Sequence, residues 1–135
     1  MTMTKHTGSC HCGAVAYEGL IDLAMTTHCN CSICTKTMVT GAKTDLASFK
    51  VLRGESELTG YQFGGKVATR YFCKHCGIQC FGKGFVEELG GDFVSININT
   101  LDDVDVHQLP LMHWDGRHDN WQAGPSPKPY PIQRD

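Results

Sequence analysis

The sequence predicts a mainly β domain of short antiparallel strands held together at cysteine-bearing turns. Three observations carry that expectation. Fifteen glycines among 135 residues favour turns and short strands over long helices. The best-patterned segment, residues 93–99 (FVSININ), alternates with a period of two, setting Val94, Ile96 and Ile98 on one face and Ser95, Asn97 and Asn99 on the other. Eight cysteines gather in three tight groups, and such groups make cross-links between distant parts of a chain. With 41% hydrophobic and 19% charged residues, the chain has the composition of one packed domain over 1–135, ending in a proline-rich tail over 124–135.

The elements follow in order. Residues 1–8 (MTMTKHTG) contain no apolar stretch of the kind a secretory signal needs. No run approaches the roughly 18 apolar residues that span a bilayer. A cytoplasmic location without a membrane partner is therefore expected, and in that reducing compartment cysteines serve metals more often than disulfides. Residues 14–18 (AVAYE) form a first strand that stops before Gly19. Residues 32–38 suit a short helix. Residues 49–53 make a second strand closed by Gly54. Residues 58–63 and 67–73 form a hairpin about Gly64 and Gly65. After the strand at 93–99, a single helical turn is expected over 100–103, capped by Thr100. The tail GPSPKPYPIQRD is expected to run extended along an edge.

Net charge is −2, with lysines and arginines scattered singly. That leaves no basic stripe for a phosphate backbone, so no nucleic-acid partner is expected.

The first cysteine set consists of Cys10-His11-Cys12-Gly13 and Cys73-Lys74-His75-Cys76-Gly77. Tetrahedral zinc takes four thiolates at about 2.3 Å, and each pair supplies half of that tetrahedron. A glycine directly after each pair lets the backbone turn sharply and aim N–H groups at the sulfurs. Adjacent C-x-C cysteines seldom meet disulfide geometry. Cys10, Cys12, Cys73 and Cys76 are thus expected to hold a structural zinc, with His11 and His75 pointing outward.

The second set, Cys29, Cys31 and Cys34, places three thiols within one short loop and the start of the helix. Three protein ligands with an open fourth position distinguish catalytic from structural zinc. Two other readings stay open: Cys80 as a fourth ligand closing the site, and Cys31 with Cys34 as a metal-free C-x-x-C dithiol.

Among other residues, His118, Asp119, Asn120 and Trp121 form a polar and aromatic run, read first as a surface loop with an anchoring tryptophan and second as a cleft lining. His28 is a candidate hydrogen-bond donor to a ligating thiolate. Asn97 and Asn99 are expected to satisfy neighbouring backbone.

The segments SCHCGAVAYE (9–18), HCNCSICTKT (28–37), YFCKHCGIQCFGKG (71–84), ININTLDDVD (96–105) and WDGRHDNW (114–121) together resemble the glutathione-dependent formaldehyde-activating enzyme family. The resemblance implies a fold of the Mss4-like type, two sheets pinned by zinc. It implies structural-zinc roles for Cys10, Cys12, Cys73 and Cys76, and a catalytic zinc on Cys29, Cys31 and Cys34 where glutathione binds through sulfur. The implied reaction is a carbon–sulfur lyase step, the reversible addition of glutathione to formaldehyde, so a small thiol and a small aldehyde are the implied partners. Cys80 departs from the pattern, since the family often has a proline or another non-ligand there. Arg70, Lys43 and Lys74 are possible partners for glutathione's carboxylates but read first as solvated charges. Outside this chemistry, the sequence also suits a non-enzymatic zinc module that docks a partner through a sheet edge. A redox sensor that releases the second zinc on thiol oxidation fits it as well.

Overall fold

The structure, a computed structural model, describes residues 3–133. Two residues of the N-terminal segment and the last two of the proline-rich tail lie outside the described residues. The elements are β1 (Thr4–Ser9), β2 (Ala16–Cys29), α1 (Ser32–Thr37), β3 (Gly41–Thr44), β4 (Lys50–Arg53), β5 (Leu58–Tyr61), β6 (Ala68–Cys73), β7 (Gln79–Val86), β8 (Gly91–Ile96) and β9 (Leu111–Trp114), with short 3-10 turns between them. The mainly β expectation holds, and α1 falls within the segment expected to be helical.

β2 organises the first sheet. It continues through Gly19, where the sequence suggested a stop, because that glycine sits within a ladder and faces the Phe49 backbone closely. Its beginning pairs with β1 on one edge and β4 on the other, and both ladders use Ala16, Tyr17 and Glu18. Its end pairs with β3 and β9, both at Thr26 and Thr27. A 14-residue strand can serve four partners because the ladder with β3 is interrupted by an irregularity between Asp22 and Thr26, and such breaks bend and twist a strand. The second sheet is an antiparallel meander in the order β5-β6-β7-β8. One pairing departs from the antiparallel expectation: β9 runs parallel to β2, setting His28 beside His113 and Cys29 beside Trp114. A parallel partner needs a long crossover, which here is most of the chain. The tail meets β9 through a single bridge between Ser126 and His113.

The inner faces meet over Val15, Tyr17, Ile21, Phe81, Val94 and Ile96, all nearly or fully buried. Phe81 packs against Phe49, Tyr71 and Tyr17 with ring centroids 4.8, 5.3 and 6.2 Å apart. Val94, Ile96 and Ile98 are buried as their alternation predicts, whereas β8 ends at Ile96 rather than reaching Asn99. The helical turn likewise comes earlier than expected, at Ile98–Thr100. Asn97 caps it by accepting from the Asn99 N–H at 3.2 Å. Thr100 is the last residue of that turn, and its hydroxyl donates to Asn97 O at 2.7 Å. Both amides satisfy backbone as expected: Asn97 Nδ2 donates to Gln79 O at 2.8 Å, and Asn99 Nδ2 to Met38 O at 3.1 Å. Among the described residues, no helix is long and apolar enough to cross a membrane.

Candidate metal centre and the neighbouring cleft

The turn after β1 carries Cys10 and Cys12, and the turn after β6 carries Cys76, with Cys73 ending the strand. Each turn closes through a glycine. Gly13 donates to Cys10 O at 3.1 Å and Gly77 to Cys73 O at 2.8 Å, with φ of 84° and 76°, the left-handed region that suits glycine. The turns point N–H groups at sulfur, as expected: Val15 N donates to Cys10 Sγ at 3.3 Å and His75 N to Cys73 Sγ at 3.4 Å. His11 is exposed, and so is His75, which contacts Glu57 at 3.2 Å.

All four sulfurs lie within 4.8 Å of one another, and the Cys10–Cys12 and Cys12–Cys73 separations are both 3.7 Å. Sulfur atoms bound at about 2.3 Å around a tetrahedral centre sit about 3.8 Å apart, whereas a disulfide holds them at about 2 Å. The donor set therefore fits zinc. Among the described residues, it is the one group of three or more such donors gathered this tightly.

Cys80 is fully buried on β7. Burial pushes its thiol up to about 12, with the charges of Cys10, Cys73, Cys76 and Cys12 adding to the effect. It thus sits beside the first set, and its Sγ faces Ile78 O at 3.7 Å. The cause is local: β7 begins one residue earlier, at Gln79, and turns this side chain into the core.

The second set is looser. Cys29 ends β2, Cys31 occupies the N-cap position of α1 and Cys34 lies in the first turn of α1, which brings all three thiols to one loop. They interact as a unit. The Cys29 and Cys34 thiols hold Cys31 down to about 2, with further help from the Cys34 N–H and the charge of Arg70 against the cost of burial. Cys29 and Cys31 in turn push Cys34 upward.

A strap from the C-terminal region clamps this loop. Asn30 N donates to Trp114 O at 3.3 Å. Asn30 Nδ2 donates to Asp115 Oδ1 at 2.8 Å, and Asn30 Oδ1 accepts from Arg117 N at 2.9 Å. Arg117 Nε also reaches Asn30 O at 2.8 Å. Asp115 is fully buried and takes further contacts from His118 Nδ1 at 2.7 Å and Asn120 Nδ2 at 3.3 Å. Gly116 is pressed against the loop so closely that a Cβ there would lie 2.5 Å from Cys29 Sγ and 2.8 Å from the Trp121 ring. Sequence reasoning does not single out Asn30, Asp115 and Gly116. Their only signal is a position beside a cysteine or a tryptophan.

Beside Cys34 opens a cleft of about 450 Å³, also lined by Phe63, Arg70, Gln79, Phe93 and Trp121. Of the run 118–121, Trp121 lines this cleft, while His118 and Asn120 bind Asp115 and Asp119 accepts from Trp121 Nε1 at 2.6 Å. The run is a surface loop as first read, but Trp121 is half exposed and lines the cleft instead of anchoring the core. His28 does not turn to a thiolate. Alternation along β2 puts it on the face opposite Cys29, where its Nε2 meets Thr40 Oγ1 at 2.9 Å. Lys74 is engaged with Glu57 at 2.9 Å.

Comparison with known proteins adds two findings. The profile of a family described as glutathione-dependent formaldehyde-activating enzyme matches residues 5–115. The structure is also similar to the crystal structure of a Rhodobacter sphaeroides protein solved as a structural-genomics target, with 33% identity and a TM-score of 0.65, over 73% of this chain and 90% of that one.

Proposed function

The chain belongs to the glutathione-dependent formaldehyde-activating enzyme family, and from that membership we propose that it catalyses the reversible addition of glutathione to formaldehyde or another small aldehyde. The reading assigns a structural zinc to Cys10, Cys12, Cys73 and Cys76, and a second zinc to Cys29, Cys31 and Cys34. It places the protein in a reducing compartment, where all eight thiols stay free, as they are here. The observation that carries it is the juxtaposition of a three-thiol loop with a cleft of about 450 Å³ that Cys34 helps to line. Pockets of roughly 300–1,000 Å³ are the usual size for small-molecule ligands.

Cys29, Cys31 and Cys34 would hold the second zinc, which would lower the pKa of a thiol bound to it. The chain's own residues do the rest. The strap through Asn30, Asp115 and Arg117 holds the cysteine loop against β9. Phe63, Phe93 and Trp121 give the cleft apolar walls that limit water around the reacting sulfur. In the reaction, a carbon–sulfur bond forms as the carbonyl π pair moves to oxygen, and the proton lost by the thiol ends on that oxygen. Water or a side chain at the cleft mouth carries that proton. His118 Nδ1 donates to the buried Asp115 carboxylate at 2.7 Å and so helps to hold the strap.

The test is exchange spectroscopy of ¹³C-formaldehyde with glutathione, using zinc-replete protein. Faster exchange between free aldehyde and S-hydroxymethylglutathione, lost in Cys31→Ser while the fold persists, supports the reading. An exchange rate equal to the uncatalysed one, in protein carrying two zincs, rejects it.

A further inference from the structure

The cleft beside Cys34 is walled mainly by apolar and small uncharged side chains, and Arg70 is the one permanent charge among the residues that line it. No carboxylate of the described residues lies within 4.0 Å of the Arg70 guanidinium; the ion pairs among them involve other cations. Its Cζ lies 5.1 Å from the centroid of the Phe63 ring. A ring contact of this kind is not a hydrogen bond and leaves N–H donors of the guanidinium for an acceptor. The space beside it is open because the residue paired with Arg70 across the β6–β7 ladder is Gly82. A Cβ at Gly82 would press on Thr69 O at 3.2 Å and touch Arg70 Cγ at an ordinary 3.8 Å, so a side chain there would take up the space beside the arginine stem.

We infer that Arg70 is a specificity-determining residue that selects thiols bearing a carboxylate, by binding that carboxylate while the sulfur lies at the cysteine loop. The inference rests on the proposed function and adds a ligand preference to it. The geometry supports it: Arg70 and Cys34 line the same cavity, so one ligand of tripeptide size reaches both. A guanidinium with an open edge in an apolar cleft binds carboxylates in preference to neutral groups, because charge-assisted paired hydrogen bonds are strong where water is scarce. Thiols without a carboxylate, such as cysteamine, gain nothing from it.

The test uses S-methylglutathione and its diethyl ester, whose capped sulfurs make binding independent of thiolate formation. Calorimetric titration is run on zinc-replete wild type, Arg70→Met and Arg70→Lys. In wild type, the acid is expected to bind about tenfold or more tightly than the ester, the size of one charge-assisted hydrogen bond. Arg70→Met is expected to bind both alike, at the wild-type affinity for the ester, and Arg70→Lys to keep part of the preference. Equal binding of acid and ester by wild type overturns the inference without recourse to any variant. So does an Arg70→Met protein that keeps the wild-type ratio, or one that weakens both ligands equally, since the arginine would then not read the carboxylate. A preference that vanishes in Arg70→Met while aldehyde exchange is uncatalysed upholds this inference and rejects the proposed reaction alone.

Discussion

Cys12 Sγ and Cys73 Sγ lie 3.7 Å apart although 61 positions separate them in the chain. One thiol belongs to the turn after the first strand of one sheet and the other to the end of the second strand of the other sheet. A metal held by this set would thus bolt the two sheets together, and both would feel its loss.

Cys12→Ser and Cys73→Ser are each expected to abolish cooperative thermal unfolding. Structural zinc contributes an apparent ~10–16 kcal/mol to folding in zinc-finger peptides, at least as much as the net stability of about 5–15 kcal/mol that most domains have. Circular dichroism melts of the variants check this. A wild-type melting transition in either would remove the structural role.

On the proposed function, Gly116→Ala is expected to cost the zinc assigned to Cys29, Cys31 and Cys34 and to spare the one assigned to the first set. The added methyl would sit 2.5 Å from Cys29 Sγ, closer than packed atoms approach, so the sulfur must shift out of its place. Native mass spectrometry of zinc-replete protein should record a drop from two zincs to one. Two retained zincs would show that Cys29 is not a ligand, or that Trp121 yields instead.

Asp115→Ala should destabilise the zinc-replete protein by about 3 kcal/mol, the scale for breaking a buried charged network. The substitution leaves Asn30, His118 and Asn120 without their shared acceptor. Urea unfolding measures it, and an unchanged midpoint would mean that the strap holds the loop without this carboxylate.

Alkaline pH should destabilise the protein partly through Tyr17. Burial raises the pKa of this phenol above its ordinary value of 10.0, and the hydroxyl is paired with Thr100 Oγ1 at 2.5 Å. Above about pH 10 the unfolded chain loses this proton while the folded chain keeps it. The contribution is therefore complete below about pH 10 and is lost as pH rises towards the folded value, since the folded state is then the one that holds the extra proton. Denaturation curves at mildly and strongly alkaline pH should show a smaller loss of stability for Tyr17→Phe than for wild type. Parallel slopes would exclude Tyr17 as a source.

The cysteine turns were legible in the sequence because their chemistry is local. A C-x-C or C-x-x-C pair followed by glycine states its own geometry, and Gly13 and Gly77 adopt the φ that this demands. The strand at 93–99 was legible through its alternation, though its end was not. Asn97 has a backbone-capping amide, and that stopped the strand at Ile96. Other features depended on partners far along the chain. β7 carries Gly82 and Gly84 beside the buried Cys80, a composition that reads more readily as a turn than as a strand. β9 was hidden because four residues carry little periodicity, and its parallel pairing with β2 has no signature in either segment. The strap from Asp115 to Trp121 was visible as a polar and aromatic run, yet nothing in it names Asn30 as its partner.

The parallel pairing of Cys29 with Trp114 also orders events during synthesis. The four thiols of the first set have all left the ribosome once Cys76 emerges, and that set can then take up metal and join the sheets. The second loop has its three cysteines as soon as Cys34 is made, but the segment that clamps it, from Trp114 to Arg117, follows only after the whole of the second sheet. A nascent chain therefore carries Cys29, Cys31 and Cys34 as an unclamped trio while that sheet is made, and oxidants can reach them before the strap arrives.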